Sequence, residues 1–296
     1  MKTYDSLFKL FKTQPIDRVF AYFYPVKLPN GTLDYDEHFR NIARYTIDGY
    51  KAWEFHHQRF QDKYSNAVPK LRNYLNYTFL RLQTLEQGSP GRYFLSTEDQ
   101  EWICFNTGLQ NTNSIDLIAI FERNRRRHVD NDQALSDWVY KGCYPANDSR
   151  YRLYFGTATP DIAWYSTDGR DFVFDLTYSL DRDSFDHLFE RAKERSGLPN
   201  ASDEVVRNYL RGAIENLIPK ISRNYKVAIP VYYVEEQRMQ LLLPFASASN
   251  EDEYSCFVVQ RDDTTRSYAL KTIFDLDQAY FAARLITRPD KDWLNP

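Results

Sequence analysis

Four strand-length segments follow one another in the C-terminal third of the chain, and this order is the strongest constraint on its fold. They cover residues 227–234, 239–245, 254–260 and 267–273, and each is rich in β-branched, aromatic or aliphatic residues. Only charged or small-polar stretches of turn length separate them. Because connections this short join neighbouring antiparallel strands, the sequence predicts an antiparallel meander in this part of the chain.

Helical and strand-like segments form blocks in the rest of the chain and do not alternate regularly. Apolar spacing and capping residues predict helices over residues 36–47, from Pro69 to Gly88, after Ser202 and after Asp275. Strand-like runs occupy residues 92–96, 101–106 and 114–121. Such blocks favour α+β over a doubly wound sheet. We therefore predict an α+β protein with a mixed, largely antiparallel sheet, flanking helices and the C-terminal antiparallel meander.

Weaker patterns predict four further elements. Residues 4–13 have the apolar spacing of a short amphipathic helix. Residues 151–155 and 162–165 are rich in aromatic and aliphatic side chains, which favours strands. Residues 171–178 follow an Asp-Gly turn and alternate in polarity, so a strand is predicted there as well.

The chain is expected to divide near residue 35. Prolines at positions 15, 25 and 29 and the turn dipeptide Asn30-Gly31 break the preceding part. No repeat or linker-like segment follows. We predict an N-terminal helical extension over residues 1–35 and a single α+β domain over residues 36–296.

Charge and cysteine content exclude several classes of protein. A net charge of −3 excludes a protein whose whole surface is basic and binds nucleic acid. It does not exclude a local basic groove, since 25 of the 38 basic residues are arginine and 16% of all residues are aromatic. Three widely spaced cysteines disfavour a disulfide framework or a cysteine zinc site. Without a signal-like N-terminus or an apolar run of about 18 residues, we expect a cytoplasmic protein that does not enter membranes.

Common catalytic motifs are missing, so candidate site residues come from local clusters. Asn106, Thr107 and Gly108 end a strand and offer an amide, a hydroxyl and free backbone N–H groups, which suit a phosphate or a base edge. The alternative is a plain loop with Gly108 at positive φ. Arg81 shares a helix face with Tyr77, and it is either a site residue or a surface cation.

An acidic cluster is the candidate for catalysis. Asp175 lies in the predicted strand 171–178, and Asp181, Asp183 and His187 follow it closely. Carboxylates with one histidine can bind Mg²⁺ or Mn²⁺ or transfer protons. Equally, Asp183 can help to cap a helix that is predicted over residues 184–195 and carries His187. The sequence leaves the metal and its ligands undefined.

Several segments resemble, in order, the DUF3825 family, a domain of unknown function. The matching segments are residues 73–82, 105–109, 224–233, 241–244 and 279–294, together with Phe121 and Asn124. Similar domains are sometimes fused to RNA-binding modules, which implies a role in RNA metabolism by association. The polar residues of the matching segments are mostly donors or cations and suit an anionic ligand; they are Arg81, Asn106, Thr107, Asn124, Asn224, Lys226 and Arg284.

We therefore expect an RNA- or nucleotide-directed protein. One form of it is a processing enzyme that acts at a phosphoester, with Asp175 and His187 supplying metal binding or proton transfer. A second is a non-catalytic RNA-binding module, in which Tyr and Phe stack on bases and Arg neutralises the backbone. A third alternative is a protein-interaction domain with a Tyr- and Arg-rich surface.

Overall fold

A computed structural model describes residues 2–10, 14–55, 66–125, 136–180, 189–248 and 254–286. The chain forms two compact units, a first unit Met1–Trp164 and a second unit Tyr165–Pro296. Both combine helices with largely antiparallel sheets, which confirms the α+β prediction. Among the described residues, no helix is both long and apolar enough to cross a bilayer.

The first unit is built on a five-stranded sheet in the order β1-β7-β6-β5-β4, with a separate hairpin of β2 and β3. Strand β1 pairs in parallel with β7, and the other neighbours of this sheet are antiparallel. The strands are β1 Ala21–Tyr22, β2 Val26–Lys27, β3 Leu33–Asp34, β4 Phe94–Ser96, β5 Trp102–Gln110, β6 Asp116–Arg123 and β7 Trp138–Pro145.

In the described part of the first unit, the α-helices beside this sheet are α1 Glu37–Tyr45, α2 Pro69–Gly88 and α3 Ser149–Phe155. The predicted apolar stripe of α2 is buried, and the Phe79 ring lies 5.8 Å from that of Phe94 and 5.9 Å from that of Phe105. Cys104 packs in a separate buried cluster with Tyr151 of α3. The strand residues thus contribute to two hydrophobic clusters, one of them against α2 and the other against α3.

The second unit contains the predicted meander. Its sheet has the order β8-β12-β11-β10-β9, and β9 to β12 pair as consecutive antiparallel strands, which confirms the prediction. Helix α5 packs into one hydrophobic cluster and helix α6 into another. The elements are β8 Ser179–Leu180, α4 Phe189–Arg195, α5 Asp203–Arg223, β9 Ile229–Tyr233, β10 Arg238–Ala246, β11 Tyr254–Asp262, β12 Ser267–Asp275 and α6 Leu276–Arg284.

The N-terminal segment is not helical in its described residues 2–10, contrary to the amphipathic helix predicted over residues 4–13. Side chains of α2 accept its backbone N–H groups instead: Gln83 Oε1 accepts from Tyr4 at 2.8 Å, and Asn76 Oδ1 accepts from Leu7 at 2.9 Å. These bonds replace those of a helix, and Tyr4 and Leu7 are buried. The apolar spacing therefore reflects burial in an irregular conformation.

Three predicted strands were also wrong. Residues 151–155 form helix α3, because the Asp148 carboxylate accepts the Arg150 N–H at the helix start and Gly156, with a φ of 62°, follows the helix. This capping overrides the strand preference of the aromatic residues. Residues 162–165 have no regular secondary structure, and residues 171–178 begin in a 3-10 turn and continue irregularly.

Candidate functional site

Two residues singled out in the sequence hold the same segment of the first unit. This segment, residues 158–164, is called the strap. The side-chain amide of Asn106, from β5, donates to the Pro160 carbonyl at 3.3 Å, and Arg81 Nε, from α2, donates to the Trp164 carbonyl at 2.8 Å. Arg81 and Asn106 are therefore brought together through the backbone of the strap.

Further bonds fix the strap although it has no regular secondary structure. The Arg92 carbonyl accepts from the Asp161 N–H at 3.0 Å, and the two side chains form an ion pair. The indole Nε1 of Trp164 donates to Tyr93 Oη at 2.7 Å. Because both its carbonyl and its indole N–H are bound, Trp164 is held in one orientation.

The strap nevertheless presents apolar side chains to solvent. Trp164 is 42% exposed and Ile162 is 53% exposed. The Arg81 guanidinium lies 5.4 Å from the centre of the Trp164 ring, within the range of a cation–π interaction. We call this surface, formed by Arg81, Arg92, Tyr93, Ile162 and Trp164, the Trp164 shelf. It combines a flat, fixed aromatic ring with two adjacent arginines.

Sequence interpretation missed the main side chain of this shelf. The aromatic and aliphatic content of residues 162–165 predicts a strand, but the segment is irregular and Trp164 is 42% exposed. The residues around Trp164 could have indicated its exposure, because Pro160, Asp161 and Ser166 are typical of irregular surface segments. Arg92 and Tyr93 were missed because their contacts with the strap span about seventy positions of the chain.

Thr107 and Gly108 shape the end of β5 beside Asn106. Thr107 is fully buried; its hydroxyl donates to the Leu117 carbonyl at 2.7 Å, and its own carbonyl accepts from Tyr74 Oη at 3.1 Å. The Gly108 N–H donates to Asn106 Oδ1 at 3.0 Å, at an irregularity in the pairing of β5 with β6. Their role as ligand-binding residues stays a prediction, while their contacts build a turn in the strand.

Replacing Gly108 with alanine is expected to lower the free energy of unfolding by about 2 kcal/mol. Gly108 has a φ of 71°, and an added Cβ would lie 2.8 Å from Tyr74 Oη. Chemical denaturation should measure the loss, with Gly31→Ala as a control that has a similar φ of 84° but no neighbour within 4 Å. Equal losses in the two variants would show that the contact with Tyr74 contributes nothing.

Asn124 lies at a different cleft of the first unit. Its side-chain amide donates to the Ser136 carbonyl at 2.9 Å. The cleft has a volume of about 470 Å³, and Lys2, Tyr4 and Trp138 also line it. Asn124 is thus not among the residues that hold the strap, as Arg81 and Asn106 do. Three arginines follow Asn124 in the sequence, at positions 125 to 127, and positions 126 and 127 lie outside the described residues.

The remaining ligand-binding candidates lie in the second unit. Asn224 ends α5, and its side-chain oxygen accepts from the Lys226 N–H at 3.1 Å, which caps a short 3-10 turn. Lys226 is exposed in that turn. Arg284 lies in the last turn of α6 and is 9% exposed. Their predicted role in binding an anion stays a prediction.

The acidic cluster is described only in part. Asp175 lies after a 3-10 turn, and its carboxylate accepts from the backbone N–H and the hydroxyl of Thr177 at 2.9 and 2.7 Å. These bonds lower the pKa of Asp175. His187 and its neighbours Asp181 and Asp183 lie outside the described residues. Within the described ranges, no three His, Cys, Asp or Glu side chains are placed to hold a metal ion, so the Mg²⁺ or Mn²⁺ hypothesis stays a prediction.

Comparisons with known proteins identify one family. The family model described as "Domain of unknown function (DUF3825)" matches residues 49–293, which is most of the chain, and confirms the resemblance seen in the sequence. No curated protein and no solved structure matches the chain. The match includes the strap and the residues that hold it.

Proposed function

For this chain, which belongs to the DUF3825 family, we propose binding of single-stranded RNA through base stacking on the Trp164 shelf. The observation that carries the proposal is that Trp164 is both fixed by hydrogen bonds and exposed to solvent. Its carbonyl and indole N–H are both bound, yet 42% of the side chain is exposed. A large ring held rigid at the surface loses little conformational entropy when a planar ligand stacks on it.

The neighbouring charges favour a nucleic acid as that planar ligand. Arg81 lies beside the Trp164 ring and Arg92 anchors the strap, so two guanidinium groups flank the shelf. Arginine both stacks on bases and binds phosphate oxygens. Every base has a stacking face, so we expect binding with little sequence preference, as in other proteins that combine aromatic platforms with cations.

Asn106 and Arg81 act in this proposal as positioning residues. Asn106 holds the Pro160 carbonyl and Arg81 the Trp164 carbonyl, and these bonds set where the strap runs. Arg81 also adds its charge to the shelf. The proposal needs no chemical step, and the hypothesis of a phosphoester-processing enzyme stays a prediction that concerns Asp175 and His187.

Trp164→Ala is expected to weaken the binding of a short uridine oligonucleotide about tenfold, because stacking of one base contributes about 1–3 kcal/mol. Trp164→Phe should retain most of the affinity, since a phenyl ring still stacks. Fluorescence anisotropy of a labelled oligonucleotide at low salt measures both. The matched control is Tyr45→Ala, which removes another aromatic side chain of the first unit, 54% exposed.

A salt titration accompanies this measurement. Affinity should fall as salt rises, because arginines that contact phosphates release counterions. Wild-type affinity in Trp164→Ala would refute the assignment of the shelf. Failure of the wild-type protein to bind the oligonucleotide at low salt would refute the RNA function itself.

A further inference from the structure

A second feature of the first unit, separate in its residues from the Trp164 shelf, is a small pocket with aromatic walls. Its volume is about 230 Å³. The N-terminal segment, strand β1 and helix α2 all contribute to it. The residues that carry the argument are Phe8, Lys9, Tyr22, Phe23, Tyr35 and Arg72, and no acidic side chain of the described residues lines the pocket. We call it the Arg72 pocket.

Arg72 is a cation that is largely removed from solvent. Its side chain is 16% exposed, and its guanidinium lies 4.2 Å from the centre of the Phe39 ring. Burial among these rings lowers the pKa of Arg72. One terminal nitrogen pairs with Asp36 Oδ1 at 2.8 Å, which leaves further N–H donors of the planar group for another acceptor.

The walls of the pocket are flat and packed. The Phe23 ring stacks on Phe39 at 5.1 Å with an angle of 12° between planes, and on Tyr140 at 4.3 Å with an angle of 9°. Tyr22 lies next to Phe23 in the chain and also lines the pocket. Tyr35 lines it too and is 56% exposed, so this side chain reaches the solvent side.

Lys9 adds a second positive charge to the lining. It is exposed, and among the described residues no carboxylate forms an ion pair with it. Because Arg72 is paired with Asp36, Lys9 is the cation that makes this described lining positive overall. A lining of rings with an excess positive charge disfavours cationic ligands.

We infer that the Arg72 pocket binds a small anion that carries a planar aromatic ring, with this ring against the partly exposed Tyr22 and Tyr35 and its phosphate or carboxylate at Arg72 and Lys9. The volume of 230 Å³ is below the usual range for drug-sized ligands, which suits a molecule of one or two rings. Lys9, Tyr22 and Tyr35 precede the family match at residues 49–293, whereas Arg72 lies within it. The pocket therefore combines a helix inside the family match with residues that precede it.

Nucleotides and aromatic carboxylates both combine an aromatic ring with a negative charge, and different probes distinguish them. Adenosine and uridine 5′-monophosphates test a nucleotide, and benzoate and indole-3-carboxylate test an aromatic carboxylate, each titrated into the full chain by calorimetry. Whichever class binds saturably identifies the source. We expect adenosine, uridine and inorganic phosphate to bind at least about tenfold more weakly, because each lacks the ring or the charge. No saturable binding of either class, or equal binding of the uncharged nucleosides, would overturn the inference.

Exposed residues provide variants that should still fold. Tyr35→Ala should weaken binding of the active probe about tenfold and Lys9→Glu about fivefold. Their matched controls are Tyr45→Ala and Lys51→Glu, which change exposed residues outside the pocket and should leave binding unchanged. Wild-type affinity in both Tyr35→Ala and Lys9→Glu would overturn the inference. Trp164→Ala should not affect these small probes, so the pocket and the RNA proposal fail separately.

Discussion

Replacing Glu86 with alanine is expected to lower the free energy of unfolding of the first unit by about 4 kcal/mol. Glu86 lies in the last turn of helix α2 and is 8% exposed. Its carboxylate accepts the backbone N–H groups of Gly91, Tyr93 and Phe94. Alanine would leave these donors without their acceptor, and hydrogen bonds to charged groups contribute about 1.5–3 kcal/mol each.

Chemical denaturation of Glu86→Ala, Glu86→Gln and wild type measures this effect. Glutamine keeps one side-chain oxygen, so its loss should be roughly half that of alanine. The control Glu98→Ala removes an exposed glutamate from the turn after β4 and should cost less than about 0.5 kcal/mol. A loss in Glu86→Ala no larger than in this control would refute the role of the carboxylate.

Glu86 also connects the fold of the first unit with its candidate site. The carboxylate fixes the backbone of Tyr93, and the Tyr93 hydroxyl accepts the indole N–H of Trp164. Weakening the turn should therefore loosen the shelf as well as the core. We expect Glu86→Gln to reduce oligonucleotide affinity further than its loss of folded protein explains.

Elements with a local cause were predictable from the sequence. Helix α2 has Pro69 in its first turn and an uninterrupted apolar stripe, so its propensity and its burial agree. Helix α6 starts at Asp275 with a capping box completed by Gln278. The meander was predictable for the same reason, because its short turns allow only neighbouring antiparallel pairs.

Elements fixed by distant partners were not predictable. Residues 4–10 have helical spacing, but Asn76 and Gln83, some seventy positions later, take their backbone donors. The strap has strand-like composition, but Arg81, Arg92 and Asn106 fix it from other elements. The pattern of one sequence contains no information about such distant partners, so local preference alone predicts the wrong structure for these segments.

Two of the predicted site residues, Arg81 and Asn106, hold the strap, and the ligand-binding role predicted for them stays a prediction. Arg81 and Asn106 bind different backbone carbonyls of the strap, those of Trp164 and Pro160. The Arg72 pocket is lined by Arg72, Tyr22 and Tyr35, none of which is among the site residues predicted from the sequence. Arg72 was hidden because an arginine in the first turn of a helix resembles any surface cation until its burial is known.

Replacing Asn106 with aspartate is expected to cost the first unit about 3 kcal/mol at neutral pH. Asn106 is 2% exposed, and its amide nitrogen donates to Asp116 Oδ2 at 3.0 Å and to the Pro160 carbonyl at 3.3 Å. A carboxylate would place an acceptor against two acceptors, one of them charged. Its other oxygen would still accept from Gly108, so the loss isolates the donor role of the amide.

The pH dependence of this variant separates a buried charge from a mere loss of packing. Burial beside Asp116 should raise the pKa of the introduced carboxyl above its unfolded value of about 3.9. The folded variant then binds a proton more tightly than the unfolded chain, so its stability relative to wild type rises as pH falls through the folded pKa. The test is denaturation of Asn106→Asp and of the exposed control Asn113→Asp between pH 7 and about pH 4. The gap in free energy of unfolding between variant and wild type should shrink with falling pH for Asn106→Asp only. A gap that is constant with pH would mean that repulsion of the two carboxylates is not the cause.

If Asn106 positions the strap, oligonucleotide affinity should recover over the same pH range, because the protonated carboxyl can again donate to the Pro160 carbonyl.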